Sequence, residues 1–254
     1  MERSKIIQTL LAAVCCFGIL PVQKAQAKGD DFGIWSDVGI EKKFGEKWSI
    51  EAGAEWRTRN NSKTSDRWSW EIDGNYKITP WLKASAGYIF LDDNNPEKIT
   101  YHANGNYNGW RPSYWSLRHR FNVSLTGDVD LGQFNFSLRE RWQYTYRPEH
   151  TTDRYDFDNN AWGDKTVSGN GKSVLRSRFQ AEYNIPHCKV DPYANIELFN
   201  SWSVTKVRYT VGMEWKITKQ HVLGAYYRFQ NVSDNDDDNE PDSHILGLSY
   251  KFKF

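Results

Sequence analysis

The sequence has few cysteines, almost no net charge and no long apolar run beyond its first residues. Of three Cys among 254 residues, Cys15 and Cys16 lie in the N-terminal leader described below. Cys188 is then the single cysteine of the mature chain, which excludes an intrachain disulfide. A net charge of +1 gives no basis for binding nucleic acid, so no such partner is expected. A mean hydropathy of −0.77 excludes a membrane protein built from helices.

The first 27 residues have the three parts of a secretory signal peptide. Arg3 and Lys5 form the basic region, Ile6–Leu20 the apolar region, and Ala25-Gln26-Ala27 the A-x-A cleavage site. We expect cleavage before Lys28. Residues 28–254 then form a single-domain mature chain.

The mature chain has a two-residue period that is clearest along Trp115–Thr126 and Phe134–Tyr146. Apolar side chains take every second position and polar ones the positions between them. Each arm is about twice the ~5–6 residues of an ordinary strand, and aromatic residues lie at both ends. Such strands are typical of a bilayer-spanning hairpin whose polar face lines a lumen. The sequence predicts a turn at Gly127–Gly132 between the two arms.

Eleven segments follow this alternation, and the connections between them are alternately short and long. We therefore predict an all-β fold, a transmembrane antiparallel up-and-down β-barrel in the cell outer membrane of a Gram-negative bacterium. Because bacterial barrels have even strand numbers, about 12 strands are expected, with 10 as the alternative. Two long connections, Asp92–Ser113 and Arg147–Lys172, are expected to be loops.

Two resemblances support this interpretation. The last strand alternates apolar residues up to Phe254 and resembles the C-terminal signature of outer-membrane proteins, which implies recognition by the barrel-assembly machinery. The mature chain as a whole also resembles the family known as domain of unknown function 2490, which implies an outer-membrane barrel and no known activity. That likeness rests on five stretches: Asp31-Phe32-Gly33-Ile34-Trp35, Leu138-Arg139-Glu140-Arg141, Ile196-Glu197-Leu198-Phe199, Arg208–Gly212 and His244–Phe254.

The expected lumen has a basic wall and a more acidic wall. The alternation points eight arginines of the central and late strands inward: Arg118, Arg120, Arg139, Arg141, Arg176, Arg178, Arg208 and Arg228. The first three strands point six carboxylates inward: Asp37, Glu41, Glu51, Glu55, Glu71 and Asp73. Arginine forks match carboxylates and phosphates, so these walls predict a channel for polar or anionic solutes. An interlocked charge network that closes the lumen is the alternative.

On the outer face, a symmetric turn would set His119 opposite Glu140, with Ser177 on the next strand at a similar height. A Ser, a His and a carboxylate together would resemble the lipid-facing site of an outer-membrane acyl hydrolase. His119 is followed by Arg120-Phe121, so the His-x-Ser motif of those enzymes is absent. Enzymatic activity is therefore left open, with His119, Glu140 and Ser177 as the catalytic candidates.

The sequence thus predicts a small channel with an arginine-lined lumen. A closed structural or surface-binding barrel is the first alternative, and an acyl hydrolase the second. Outer-membrane lipid and lipopolysaccharide are the expected surroundings, and neither a metal nor an organic cofactor is predicted.

Overall fold

The computed structural model describes residues 30–233 and 240–254, so the predicted signal peptide and its cleavage site lie outside the described residues. Every regular element in this part of the chain is a strand. No helix there is long and apolar enough to cross a membrane. The strands are β1 (Asp31–Phe44), β2 (Trp48–Arg59), β3 (Thr64–Thr79), β4 (Leu82–Asn95), β5 (Lys98–Tyr101), β6 (Tyr107–Arg111), β7 (Tyr114–Leu131), β8 (Phe134–Arg147), β9 (His150–Asp156), β10 (Ala161–Val167), β11 (Asn170–Tyr183), β12 (Val190–Asn200), β13 (Val204–Lys216), β14 (His221–Val232) and β15 (Ser243–Lys253).

A closed barrel contains all of these strands except β5, β6, β9 and β10. Its order is β1-β2-β3-β4-β7-β8-β11-β12-β13-β14-β15, and β15 pairs again with β1. Neighbours are antiparallel except at this closure, where Asp31–Glu41 runs parallel to Ser243–Lys253. The strands have 11 to 18 residues, long enough to span a bilayer when tilted. The predicted transmembrane barrel fold is confirmed.

The expected count of 12 strands, with 10 as the alternative, is wrong for the described residues, where 11 strands form the barrel. Each of the 11 alternating segments in the sequence corresponds to one barrel strand, so only the expectation of an even strand number was wrong. An all-antiparallel closure requires an even number. The parallel pairing of β1 with β15 removes that requirement, because both strands run towards the same end of the barrel.

The outer wall of the barrel is mostly apolar. Val38, Ile72, Val123 and Leu138 are each more than half exposed, because they point away from the lumen. Aromatic residues lie near both ends of the wall: Trp48 contacts Tyr76 at the end with the short turns, and Trp56 contacts Trp68 near the other end. The wall thus has the apolar band and aromatic rims that a bilayer requires.

The turn between β7 and β8 differs from its prediction. β7 continues through Gly127 to Leu131, and only Gly132-Gln133 connects it to β8. Gly132 has a φ of 65°, a conformation that glycine adopts without steric cost. The pairing therefore starts at Leu131 and Phe134, and it brings His119 opposite Tyr146 instead of Glu140.

The two long connections predicted to be loops form a second sheet in the order β10-β9-β6-β5. This sheet continues four barrel strands without a change of register. Asn95 pairs with Tyr114 at the end of β4 and β7, and Lys98 pairs with Arg111 three residues further along both strands. β8 and β11 continue into β9 and β10 in the same way: Arg147 pairs with Asn170, and His150 pairs with Val167 three residues further along.

Proline residues mark three of the four breaks between the barrel and this second sheet. Pro96, Pro112 and Pro148 have no backbone N–H to donate, so the hydrogen-bonded ladder is interrupted there. We call the second sheet the upper sheet, because it extends the wall beyond the barrel on the side of the long connections.

Candidate functional site

Four arginines lie together on the lumen side of β8 and β11. Arg141 is paired directly with Arg176, and Arg139 directly with Arg178. We call this group the arginine square. Directly opposed like charges destabilise a sheet, so the square needs negative charge nearby. The Nε atoms of all four side chains are buried and have no hydrogen-bond partner among residues 30–233 and 240–254.

Glu197 of β12 is the carboxylate that contacts the square. Its Oε1 accepts a hydrogen bond of 2.6 Å from Arg139, and Arg176 donates to both oxygens at 3.0 and 2.9 Å. Arg208 of β13 approaches Oε2 at 4.0 Å from the other side. The Glu197 side chain is only 6% exposed, so these ion pairs are shielded from water.

Four of the eight predicted lumen arginines have no carboxylate within 4 Å among the described residues: Arg120, Arg141, Arg178 and Arg228. Arg120 donates instead to the Thr145 hydroxyl, and Arg228 to the Thr210 hydroxyl, both at 3.0 Å. Positive charge therefore exceeds negative charge around these arginines.

A second ion-pair group lies closer to the upper sheet. Asp93 of β4 receives two hydrogen bonds from Arg67, and Arg118 lies 2.9 Å from its Oδ2. Arg118 also donates to Asn95 at 3.3 Å. Arg118 is the predicted lumen arginine that this group neutralises.

Two aromatic rings occupy the lumen between the arginines. The Trp35 ring lies 3.7 Å from the guanidinium carbon of Arg57, with Arg208 and Arg228 at 5.0 and 5.1 Å. Phe199 lies 4.6 Å from both Arg176 and Arg208. Both rings are less than a tenth exposed. Such cation–π contacts fix the guanidinium groups in place.

The acidic side of the lumen is formed by β1, β2 and β3. Glu55 binds its neighbour Arg57 through two hydrogen bonds of 2.7 and 3.0 Å, and Glu51 pairs with Lys251. Arg141 of the square interacts electrostatically with Asp73 and Glu71 of β3. A field therefore crosses the lumen between the two walls.

At the mouth on the side of the upper sheet, Glu240 binds residues at the ends of β13 and β14. Its Oε2 lies 2.6 Å from Lys206 Nζ and accepts a hydrogen bond of 3.1 Å from Gln230. Burial raises the pKa of Glu240, but Lys206 and nearby arginines outweigh it and lower this pKa to about 2. Glu240 is therefore ionised at neutral pH.

The predicted hydrolase site does not form. Ser177 and Glu140 are cross-strand neighbours, and the Ser177 hydroxyl donates to Glu140 Oε2 at 2.6 Å. His119, however, is paired with Tyr146, six residues further along β8 than Glu140, or roughly 20 Å away. Its Nδ1 is 2.7 Å from the Tyr88 hydroxyl. A histidine so placed cannot take a proton from Ser177.

The sequence matches the model of a family described as a protein of unknown function (DUF2490) over residues 32–240. The chain belongs to this family. The resemblance noted from the short motifs is thereby confirmed. No curated protein matches the chain.

Several solved barrels resemble this DUF2490 chain. The beta domain of the Bordetella autotransporter Brka is 12% identical, covers 80% of this chain and 79% of its own, and has a TM-score of 0.48. The NanC porin is 15% identical, the alignment covers 87% of this chain and 98% of the porin, and the TM-score is 0.45. The CymD monoaromatic hydrocarbon channel is 8% identical, the alignment covers 76% of this chain and 67% of that channel, and the TM-score is 0.42. With TM-scores below 0.5, these likenesses decide nothing about function.

Two carboxylates of the lumen were absent from the predicted site, Glu197 and Asp93. The signal for Glu197 was present in the sequence, since it lies between the outward residues Ile196 and Leu198 and must point inward. Asp93 lay in a segment assigned to a loop. Its inward position became visible only with the full length of β4.

Proposed function

We propose that this protein is an outer-membrane channel that passes small polar anions, with the arginine square as its selectivity site. The single observation behind this proposal is the square itself. Within the part of the chain that the structure describes, two directly opposed arginine pairs have one carboxylate in direct contact, and all four Nε donors lack a partner. Guanidinium groups held in this way favour carboxylate and phosphate oxygens.

The setting of the square supports passage as well as binding. Glu197 already forms direct ion pairs with Arg139 and Arg176 of the square, so an anion at the square has a competitor for the guanidinium groups. A site that binds anions without holding them tightly is what conduction requires. In this proposal the outer wall contacts lipid and lipopolysaccharide, and the barrel-assembly machinery recognises the last strand, which ends at Phe254.

The test is the reversal potential of the refolded mature chain in a planar bilayer under a salt gradient. We expect anion preference for the wild type and a marked shift towards cations for Arg141→Ala combined with Arg178→Ala. Lys42→Ala is the matched control, because Lys42 lies against Phe44 and Phe254 at the rim. An equal shift in the control variant, or none in the double variant, contradicts the proposal.

A closed structural barrel is the second candidate function, and one specific observation favours it. Glu197 joins Arg139, Arg176 and Arg208 from three strands, while Trp35 and Phe199 fill the space between guanidinium groups. If this cluster blocks the lumen, wild-type protein is silent in the bilayer and Glu197→Ala opens it. Silence of both proteins leaves the structural role as the better account.

A further inference from the structure

The upper sheet carries a row of large side chains, one from each of its four strands. Ile99 of β5 pairs with Trp110 of β6, Trp110 with Tyr155 of β9, and Tyr155 with Trp162 of β10. Directly paired residues point to the same face of a sheet. We call these four residues the aromatic row. Ile99 and Trp162 are 42% and 56% exposed, and Trp110 and Tyr155 are partly exposed, so the row is accessible to a ligand.

The rings of the row belong to a continuous aromatic surface. Trp162 lies 5.5 Å from Trp110 and 5.3 Å from Tyr155, measured between ring centroids. From Tyr155 of the row, further rings continue through Phe157 and Tyr107 to Tyr101, with 5.2 to 5.3 Å between successive ring centroids. Mutual contact holds these rings in position before any ligand arrives, which lowers the entropic cost of binding.

The polar groups of Trp110 and Tyr155 are occupied by hydrogen bonds nearby. Trp110 Nε1 donates to Glu97 at 3.1 Å, and the Tyr155 hydroxyl donates to Asn160. The turn that follows Tyr155 is fixed by Asp156, whose Oδ1 accepts the Asp158 N–H at 2.9 Å. What the row offers to a ligand is therefore its ring faces.

Hydrogen-bonding groups lie beside the rings on the same face. Asp153 pairs with Asp164 two residues from the Tyr155–Trp162 pair, and Thr151 pairs with Thr166 four residues from it. All four of these polar side chains are exposed. Ring faces next to carboxylates and hydroxyls suit a sugar, since its C–H face stacks on an aromatic ring while its hydroxyls donate to carboxylates. A hydrocarbon would leave these carboxylates without partners.

The register places this face above the lumen rather than above the lipid. Because the register is the same on both sides of the breaks between the barrel and the upper sheet, the aromatic row continues the inward-facing positions of β4, β7, β8 and β11. Along those strands the inward residues include Asp93, Ser116, Gln143 and Val174, all buried. The row therefore meets dissolved molecules at the mouth instead of the lipopolysaccharide that surrounds the barrel.

We infer that the aromatic row, with Asp153 and Asp164, is a binding site for a soluble saccharide at the mouth of the barrel. Its place at the mouth makes it a first contact for solutes. Binding by the row is independent of whether the lumen conducts, so failure of the proposed channel activity and failure of this site are measured separately.

The test is saturation-transfer NMR on the refolded mature chain in detergent micelles, with maltotriose, tri-N-acetylchitotriose and trigalacturonate as probes. We expect saturable transfer to at least one of the three. Loss of an aromatic anchor weakens binding by roughly tenfold or more, so Trp162→Ala and Trp110→Ala should abolish the signal at the same probe concentration. Asp153→Asn combined with Asp164→Asn should reduce it.

Trp115→Ala is the matched control, because Trp115 is an exposed tryptophan just below the upper sheet and points to the opposite face of β7. Each variant must keep the heat-modifiable migration of a folded barrel. No transfer to any of the three probes overturns the inference. Transfer that survives Trp162→Ala and Trp110→Ala, or that Trp115→Ala removes equally, overturns it as well.

Discussion

Charged residues occupy adjacent positions on the two faces of β8, and their surroundings differ. On the inner face, Arg139 reaches Glu197 and Arg141 interacts with Asp73. On the outer face, Glu140 between them is exposed among apolar neighbours, and within the described part of the chain its side chain has one hydrogen bond, from Ser177. Inside the barrel, charge is shared within a network. Outside, one carboxyl lies in the middle of the lipid-facing wall.

Position along the strand strengthens this contrast. Glu140 is the fourth of seven outward residues of β8, with Phe134, Phe136 and Leu138 before it and Trp142, Tyr144 and Tyr146 after it. A lipid-facing ionisable group costs most at the bilayer midplane. The inner network is thus expected to stabilise the barrel, and the outer carboxyl to destabilise it.

The largest expected effect is the loss of the inner hub. Glu197→Ala leaves Arg139, Arg176 and Arg208 buried without their carboxylate, which should lower the free energy of unfolding by about 3–5 kcal/mol. Urea unfolding of the chain refolded in lipid vesicles measures it. Glu182→Ala is the control, because Glu182 lies 3.9 Å from Lys216 and is more exposed. Equal losses in the two variants would remove the special role of the hub.

On the outer face, replacing the carboxyl should have the opposite sign. Glu140→Leu is expected to raise the free energy of unfolding, by less than ~2 kcal/mol, because a lipid-facing carboxyl costs less than a lipid-facing Lys or Arg. The same unfolding assay in vesicles measures it. A decrease in stability would mean that Glu140 is bound to something in the membrane, and the contrast between the two faces would fail.

Ser177→Ala tests the one bond that Glu140 has. Removing the hydroxyl should cost about 1 kcal/mol in the wild type. It should cost nothing in the Glu140→Leu background, where no acceptor remains. Unfolding of both single variants and the double variant gives this coupling, and additive effects would show that the bond contributes no stability.

The smallest expected effect concerns pH at the mouth. The folded-state pKa of Glu240 is lowered to about 2, so its contact with Lys206 contributes stability that is present above the ordinary pKa of 4.5 and lost as pH falls through about 2. A carbon-13 label on the Glu240 carboxyl should report one titration near that value. Titration at an ordinary glutamate pKa would show that the carboxylate is not held in the mouth. Lys206→Met should return the pKa of Glu240 towards its ordinary value.

Side-chain orientation was predictable from sequence, because a two-residue period is a local property of any strand. All 11 barrel strands follow from it. Register was not predictable in the same way, since it depends on where a turn begins. Reading Gly127–Gly132 as a turn moved His119 opposite Glu140, whereas β7 continues to Leu131 and shifts the pairing by six residues.

The upper sheet was missed for a related reason. Its strands are 4 to 7 residues long and each lies next to a proline or a Ser-Gly step, so they have the composition of loops. Tyr155 and Trp162 could be related to Trp110 only after the long-range pairing was known. The ion-pair partners Glu197 and Asp93 likewise depend on which strands are neighbours, which alternation alone does not determine.

The most direct test of the central claim compares wild type with Glu197→Gln in the same planar bilayer under a salt gradient. The variant removes the charge on the carboxylate that contacts the arginine square and keeps the shape of the side chain. The account predicts discrete, anion-preferring openings for the wild type and a stronger anion preference for Glu197→Gln. Cation-preferring openings in either protein, or an unchanged reversal potential in the variant, would contradict it.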